Sequence, residues 1–259
     1  MSVEHPFLEH TKPLPIAHRG GAIDQPENTM PAFQHAVDLG YTHVETDVHV
    51  TVDGVLVAFH DPTLDRVTDR TGRIDELTWD EVSAARVTGL DGSTAAIPRF
   101  DELMTTFPQL SVSVDPKEDS SVAPLQRALR ELDCLDRVCV GSFSDKRQTA
   151  FRETFGRDVC LGLGPREAAR LRFASWGAPL GSLTGDIAQV PMRQGRIPVV
   201  DRRFVDRAHR AGLLVHVWTI DDEDDMHALF DLGVDAIMTD RPSALLGVMA
   251  DRGEWPHGG

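Results

Sequence analysis

The feature that most restricts what this chain can fold into is an alternation of short apolar runs with segments whose apolar residues fall three and four apart. The runs read as strands at 14–18, 42–48, 110–115, 137–142, 158–162, 186–190, 213–219 and 234–238. Helical patterns lie between most of them. In 30–39, Phe33, Ala36 and Val37 share one face and Gly40 supplies a stop; in 203–212, Phe204, Val205, Ala208 and Gly212 repeat the scheme. Strand–helix alternation calls for a parallel sheet. Eight strands is the count of a (β/α)8 barrel, and 259 residues is near the length such a barrel takes. An open doubly wound sheet could use the same elements, but no glycine-rich phosphate loop follows the first run. The expected fold class is therefore α/β, a TIM barrel over 14–249, with terminal tails at 1–13 and 250–259. A polar, Thr- and Asp-rich excursion at 61–98, carrying a short helix near 78–87, follows the hairpin of the second strand.

Parity along the second run is unusual. Val44, Thr46 and Val48 form one face, while His43, Glu45, Asp47 and His49 form the other. A barrel strand packs apolar side chains on both faces, and buried charge is costly unless paired or bound to metal. A solvated edge strand with one wet face is the alternative. The run 110–115 repeats the pattern: Leu110, Val112 and Val114 oppose Ser111, Ser113 and Asp115, and Lys117 continues the polar parity. Glu45, Asp47 and Asp115 together make a hard, all-oxygen set suited to Mg²⁺ or Ca²⁺ better than to zinc.

Asp53-Gly54 between apolar residues signals a two-residue hairpin. With that turn, residue 52 pairs with 55 and Asp47 falls opposite His60, which returns the histidine to the carboxylate rim. His18 closes the first run with the parity of Leu14 and Ile16 and precedes Arg19. Two histidines titrating near neutrality suit paired acid–base work, and Arg19 and Lys117 supply the positive charge that a phosphate needs. His43 reads as structural, His216 as interior filling, and His49 has no assigned role. Asn28-Thr29 ahead of Pro31 is first of all a helix N-cap. The acidic run 221–225 reads as the start of a helix, where the macrodipole favours it.

These residues resemble the glycerophosphodiester phosphodiesterase family. The resemblance rests on His18-Arg19-Gly20, Pro26-Glu27-Asn28-Thr29, Glu45-x-Asp47, Thr51-x-Asp53-Gly54 and His60-Asp61, in order and spacing. Leu64-x-Arg66-x-Thr68, Ser142-Phe143, Trp218-Thr219-Ile220 and Gly233-x-Asp235-x-x-x-Thr239-Asp240-x-Pro242 resemble its later landmarks. The resemblance implies a TIM barrel that hydrolyses glycerophosphodiesters to an alcohol and sn-glycerol 3-phosphate with a divalent metal. It implies His18 and His60 as the acid–base pair, Glu45 and Asp47 as metal ligands, Lys117 on the phosphate and Trp218 beside the glycerol. Where the family carries Glu-x-Lys, this chain has Asp115-Pro116-Lys117, one methylene shorter. Related phospholipase D enzymes of the same fold also carry Asp there, which keeps a lysophospholipase D-like reading on acylated substrates as an alternative; a non-catalytic phosphodiester-binding barrel is another.

Composition narrows the partners. Lys and Arg number 26 against 41 Asp and Glu, a formal charge of −15, which argues against non-specific nucleic-acid binding and against docking on anionic membrane. A single small phosphodiester is the expected guest. No secretory pattern opens the sequence and no apolar run is long enough to span a membrane. Cys134, Cys139 and Cys160 lack Cys-x-x-Cys spacing and read as buried thiols of a reducing compartment, so the cytoplasm is expected.

Overall fold

The computed structural model describes residues 5–9 and 13–255. The tail assignments at 1–4, 10–12 and 256–259 lie outside the described residues. The eight runs become eight parallel strands: β1 Leu14–Ala17, β2 His43–Val50, β3 Ser111–Pro116, β4 Val138–Val140, β5 Cys160–Leu161, β6 Ile187–Pro191, β7 Leu214–Trp218 and β8 Ala236–Thr239. They follow the order β5-β4-β3-β2-β1-β8-β7-β6, and a parallel bridge between Gly162 and Ile187 joins β5 to β6. The helices alternate with them: α1 Met30–Asp38, α2 Phe100–Thr106, α3 Val122–Glu131, α4 Asp145–Phe155, α5 Pro165–Ser175, α6 Arg202–Arg210, α7 Glu223–Leu232 and α8 Pro242–Asp251. This is a (β/α)8 barrel.

Local chemistry explains the helix boundaries. Thr29 caps α1 by accepting from the Ala32 amide, and Pro31 sits in the opening turn, where its missing N–H costs nothing. Asp201 caps α6 in the same way. Asp222 caps α7, and Gly233, left-handed at φ 82°, ends it.

Outward side chains of the strands meet the helices in two apolar clusters, one around Phe33, Val44, Val112 and Phe151, the other around Phe204, Val215, Met226 and Ile237. The interior holds Leu14, Ile16, Ala236 and Met238. Toward its N-terminal end it holds Phe7, Cys139, Cys160 and Ile187. Phe7, in the short turn Pro6–Leu8, is 1% exposed and stacks edge-on against His43 with ring centroids 5.2 Å apart. Residues 5–9 therefore plug the barrel floor and are not a tail, because the short floor residues Cys139 and Cys160 leave room for an aromatic ring.

Two further expectations change. The hairpin slips by one residue: Val50 pairs Leu56, His49 pairs Val57 and Val48 pairs Ala58, so Phe59 rather than His60 donates its amide to the Asp47 carbonyl. The connection is a three-residue loop closed at Thr51, whose amide donates to the Val55 carbonyl and whose hydroxyl accepts from the Val55 amide at 3.0 Å. Gly54 takes φ 88° there, which an L side chain rarely adopts. The excursion also has a core of its own, built from Val57, Phe59, Leu64, Ile74, Val82, Ala85, Val87 and Ile97. Its helix is only Trp79–Ser83, since Arg86–Thr88 leaves to pair antiparallel with Thr94–Ala96. Elements this short carry too few apolar residues to show a period.

Candidate active site

β2 and β3 pair in register Glu45↔Ser113 and Asp47↔Asp115, which sets three carboxylates side by side near the C-terminal ends of adjacent strands. Glu45, Asp47 and Asp115 are 7%, 1% and 8% exposed. The outward residues Val44, Val48, Val112 and Val114 belong to the apolar layer, so the acidic face points inward.

Partly buried cations balance this charge. Lys117 Nζ lies 2.7 Å from Asp47 Oδ1 and donates to Asp115 Oδ2 at 3.0 Å. The Arg19 amide donates to Glu45 Oε2 at 3.2 Å, and its Nε lies 3.2 Å from Asp47 Oδ2. Arg19 adopts the left-handed region (φ 52°), rare for a side-chain-bearing residue, and that backbone aims both groups at β2. Asn28, also left-handed (φ 54°), donates to Asp47 Oδ2 at 3.1 Å and accepts from the Thr46 hydroxyl at 2.8 Å. The loop before α1 thus reaches the site as well as capping the helix.

The carboxylates respond differently. Burial, reinforced by the neighbouring Asp47, pushes Glu45 up to about 7. Burial acts the same way on Asp47, but Lys117 and Arg19 outweigh it and hold that carboxyl below its ordinary value. Asp115 is raised, chiefly by burial, and its Oδ1 is buried without a hydrogen-bond partner.

His18 places Nε2 3.6 Å from Glu45 Oε2, and its Nδ1 donates to Asp240 Oδ1 at 2.7 Å. Burial works to lower its pKa, but Glu45 and Asp240 more than compensate, so it stands above the ordinary histidine value. Asp240 is itself fixed, its amide donating to Asp221 Oδ1 at 2.8 Å. His60 returns to the same rim despite the slipped register. Its Nδ1 bonds Asp61 Oδ1 at 2.6 Å, and its carbonyl accepts from His49 Nε2 at 3.0 Å. Burial is the main reason that His60 stands below its ordinary value. Each histidine therefore offers Nε2 while a carboxylate holds Nδ1.

Trp218 ends β7, three strands round from β2. It packs on Leu14, Ile16, Ala236 and Met238 and meets Phe143 edge-on at 5.4 Å. Phe143 is 66% exposed, and its ring centre lies 5.8 Å from Lys117 Nζ, so it bridges the charged cluster and Trp218. A cavity of about 450 Å³ at the opposite end of the barrel, lined in part by Arg157, Asp186 and Arg207, contains none of these residues.

Fold and site together define a TIM barrel whose C-terminal rim carries two histidines, three carboxylates and two cations. The family model for the glycerophosphoryl diester phosphodiesterase family matches residues 18–244, and the chain belongs to that family of phosphoric diester hydrolases. It is 36% identical over 258 residues to a probable glycerophosphodiester phosphodiesterase 2 of Mycobacterium tuberculosis, covering 96% of this chain and 95% of that one. A glycerophosphoryl diester phosphodiesterase structure from Silicibacter pomeroyi superposes with TM-score 0.81 at 23% identity, covering 96% and 98% of the two chains. An Oleispira antarctica phosphodiesterase, solved in complex with the product sn-glycerol-3-phosphate, superposes with TM-score 0.77 at 23% identity, covering 92% and 97%.

Sequence reasoning gave no role to Asp240, Asp61 or Phe143. It read Asp221 as part of a helix start, whereas that residue precedes the Asp222 cap and accepts from the Thr239 hydroxyl and the Asp240 amide. The signal for Asp61 was its adjacency to His60, and Asp240 stood inside a quoted motif; neither spacing says which nitrogen of which ring it holds.

Proposed function

We propose that this chain hydrolyses glycerophosphodiesters to sn-glycerol 3-phosphate and an alcohol, with His18 and His60 moving the protons. The observation that carries the reading is the pair of histidines, each held at Nδ1 by a carboxylate, flanking a buried cluster of carboxylates and cations. His60, shifted toward its neutral form and with Nε2 free to accept, takes the proton from the attacking hydroxyl. His18, shifted toward its charged form, gives its Nε2 proton to the leaving oxygen. Where the attacking group is the neighbouring glycerol hydroxyl, water then opens the cyclic phosphate to sn-glycerol 3-phosphate, with the two histidines exchanging proton roles. Environments that push two like groups apart in pKa assign the acid and the base. Arg19 and Lys117 face the phosphoryl oxygens, and Trp218 with Phe143 walls the glycerol side.

The donor set fits a hard divalent cation, Mg²⁺ or Ca²⁺. Glu45, Asp47 and Asp115 are all carboxylates, Asp115 Oδ1 is buried without a partner, and the mutual repulsion that raises Glu45 is what a cation relieves. Among the described residues no three such side chains are grouped as a coordination sphere; Lys117 stands between Asp47 and Asp115. Glu45 and Asp47 are accordingly the principal ligands proposed, with Asp115 as the third. When bound, the cation supplies Lewis-acid charge at a phosphoryl oxygen.

Among the described residues no helix is long and apolar enough to cross a membrane. A cytoplasmic location is supported by three buried free thiols.

The test is a panel of glycerophosphocholine, glycerophosphoethanolamine, glycerophosphoglycerol and a lysophospholipid, with glycerol 3-phosphate or lysophosphatidate detected after chelation and readdition of each metal. Release of glycerol 3-phosphate supports the reading, as does its loss in His18→Ala and His60→Ala. Turnover of the acylated substrate alone favours the lysophospholipase D alternative. Absence of product from every diester overturns the proposal.

A further inference from the structure

One carboxylate links the two halves of the rim without touching either histidine. Glu27, in the loop before α1, has a side chain 11% exposed. Its Oε1 accepts from Arg19 Nη1 at 3.1 Å and from Arg66 Nη2 at 2.7 Å, and its Oε2 accepts from Arg66 Nη1 at 3.0 Å. The Glu27–Arg66 pair is thus a two-pronged fork. The remaining guanidinium nitrogen of Arg66, Nε, donates to Asp61 Oδ2, while Asp61 Oδ1 holds His60 Nδ1 at 2.6 Å. Arg66 belongs to the short turn Leu64–Arg66 at the start of the excursion, anchored by Leu64, which is 1% exposed in the excursion's own core.

We propose that Glu27 and Arg66 are positioning residues for the reaction: together they lock the Asp61 carboxylate and so fix the tautomer and ring direction of His60. The inference rests on the proposed role of His60 in proton transfer. Three observations separate it from an ordinary surface ion pair. The Arg66 side chain is 47% exposed, and an isolated pair so exposed contributes little to stability. Yet all three kinds of guanidinium nitrogen are used, in a geometry that a lysine could not reproduce. Both Asp61 oxygens are committed, one to Arg66 and one to His60, so the carboxylate cannot rotate while the arginine is in place. Losing the arginine frees that rotation, and His60 Nδ1–H loses a fixed acceptor. The same Glu27 carboxylate holds Arg19, so the base side and the cation side of the site share one anchor. On this account the excursion is the support for the base, which gives a purpose to the motifs around Glu27 and Arg66.

The experiment uses the full chain with its metal. Arg66→Ala is expected to lower kcat about 10-fold or more while KM stays within about 3-fold, the effect of misplacing a reacting group rather than of losing substrate contacts. Arg66→Lys is expected not to restore it. In an Asp61→Asn background, Arg66→Ala is expected to cost nothing further, because both act through one chain. Ring ¹⁵N spectra of His60 are expected to show one tautomer, with Nδ1 protonated, in the parent and a mixture in Arg66→Ala. If Arg66→Ala fails to fold, Arg66→Gln keeps the apolar stem and replaces it. Unchanged kcat in the arginine variants, or a full additional loss on top of Asp61→Asn, or an unchanged tautomer would overturn the proposal. His60→Ala separates the two readings: if that variant keeps turnover the catalytic role fails, while the tautomer measurement still reports on the relay.

Discussion

Replacing Asp240 by Asn tests the acid side of the mechanism with one changed atom. The Asp240 carboxylate accepts from His18 Nδ1 at 2.7 Å, and its backbone amide and carbonyl stay tied to Asp221 and Ile23. The substitution therefore spares the local backbone and removes a charge-assisted hydrogen bond. Such bonds are worth about 1.5–3 kcal/mol, and both side chains are largely shielded from solvent. The bond favours the imidazolium over the neutral ring, so that energy is lost selectively from the protonated form, the one proposed to serve as acid. At about 1.4 kcal/mol per decade the expected fall in kcat is roughly 10- to 100-fold. The pH profile shifts as well. Asp240 and Glu45 hold the His18 pKa above its ordinary value, so activity that needs protonated His18 declines on the alkaline side, and in Asp240→Asn the decline begins at lower pH. The assay is kcat and kcat/KM for a glycerophosphodiester from pH 5 to 10, with a melting curve to establish folding. A folded Asp240→Asn with parental kcat and an unmoved alkaline limb would refute the reasoning.

Three other outcomes follow from the same residues. Glu45→Gln should stabilise the metal-free protein at pH 8 while abolishing activity: Glu45 is raised to about 7, so its favourable protonated state is present below the unfolded value and lost as pH rises through 7. Urea titration at pH 5 and pH 8 reads this, and equal effects at both would contradict it. Chelation should remove activity, and metal at a hundredfold excess over its Kd should add about 2.7 kcal/mol to stability, some 5–10 °C in Tm; a melting curve that metal leaves untouched counts against the assigned ligands. Phe7→Ala should cost about 3–5 kcal/mol by urea unfolding, because it empties a fully buried site at the barrel floor, whereas a tail residue would cost almost nothing.

Sites of this kind trade stability for chemistry. Glu45 and Asp47 are two buried acids on one strand face, and replacing Glu45 by an apolar residue would relieve both its burial and its repulsion from Asp47. Lys117 and Arg19 keep the cost tolerable: each is buried enough that its own charge needs the carboxylates as much as they need it. With the proposed divalent cation bound, Lys117 and Arg19 would outweigh the three carboxylates and make a cationic spot of small extent in a chain of net charge −15, which suits the proposed single phosphodiester and not a polyanion.

Much of this was legible in the linear chain. Alternating periods of two and about 3.6 identified all eight strands, because each strand must show an apolar face to the helices, and parity put Glu45, Asp47 and Asp115 on the inner face. Tertiary structure alone decided the pairings made at long range. The hairpin register depended on the Thr51 amide and hydroxyl together closing a three-residue loop on Val55, which alternation does not reveal. Phe7 read as tail because a single aromatic ring with no periodic neighbours carries no pattern, though in the fold it packs against Cys139, Cys160 and Ile187. Asp240 lies 222 positions from His18, and Glu27 lies 39 from Arg66. A hydrogen bond is a condition on distance and direction, and only barrel closure and the folded excursion satisfy it. Which residues are chemical was written along the chain; which atom of each faces which other was decided by packing.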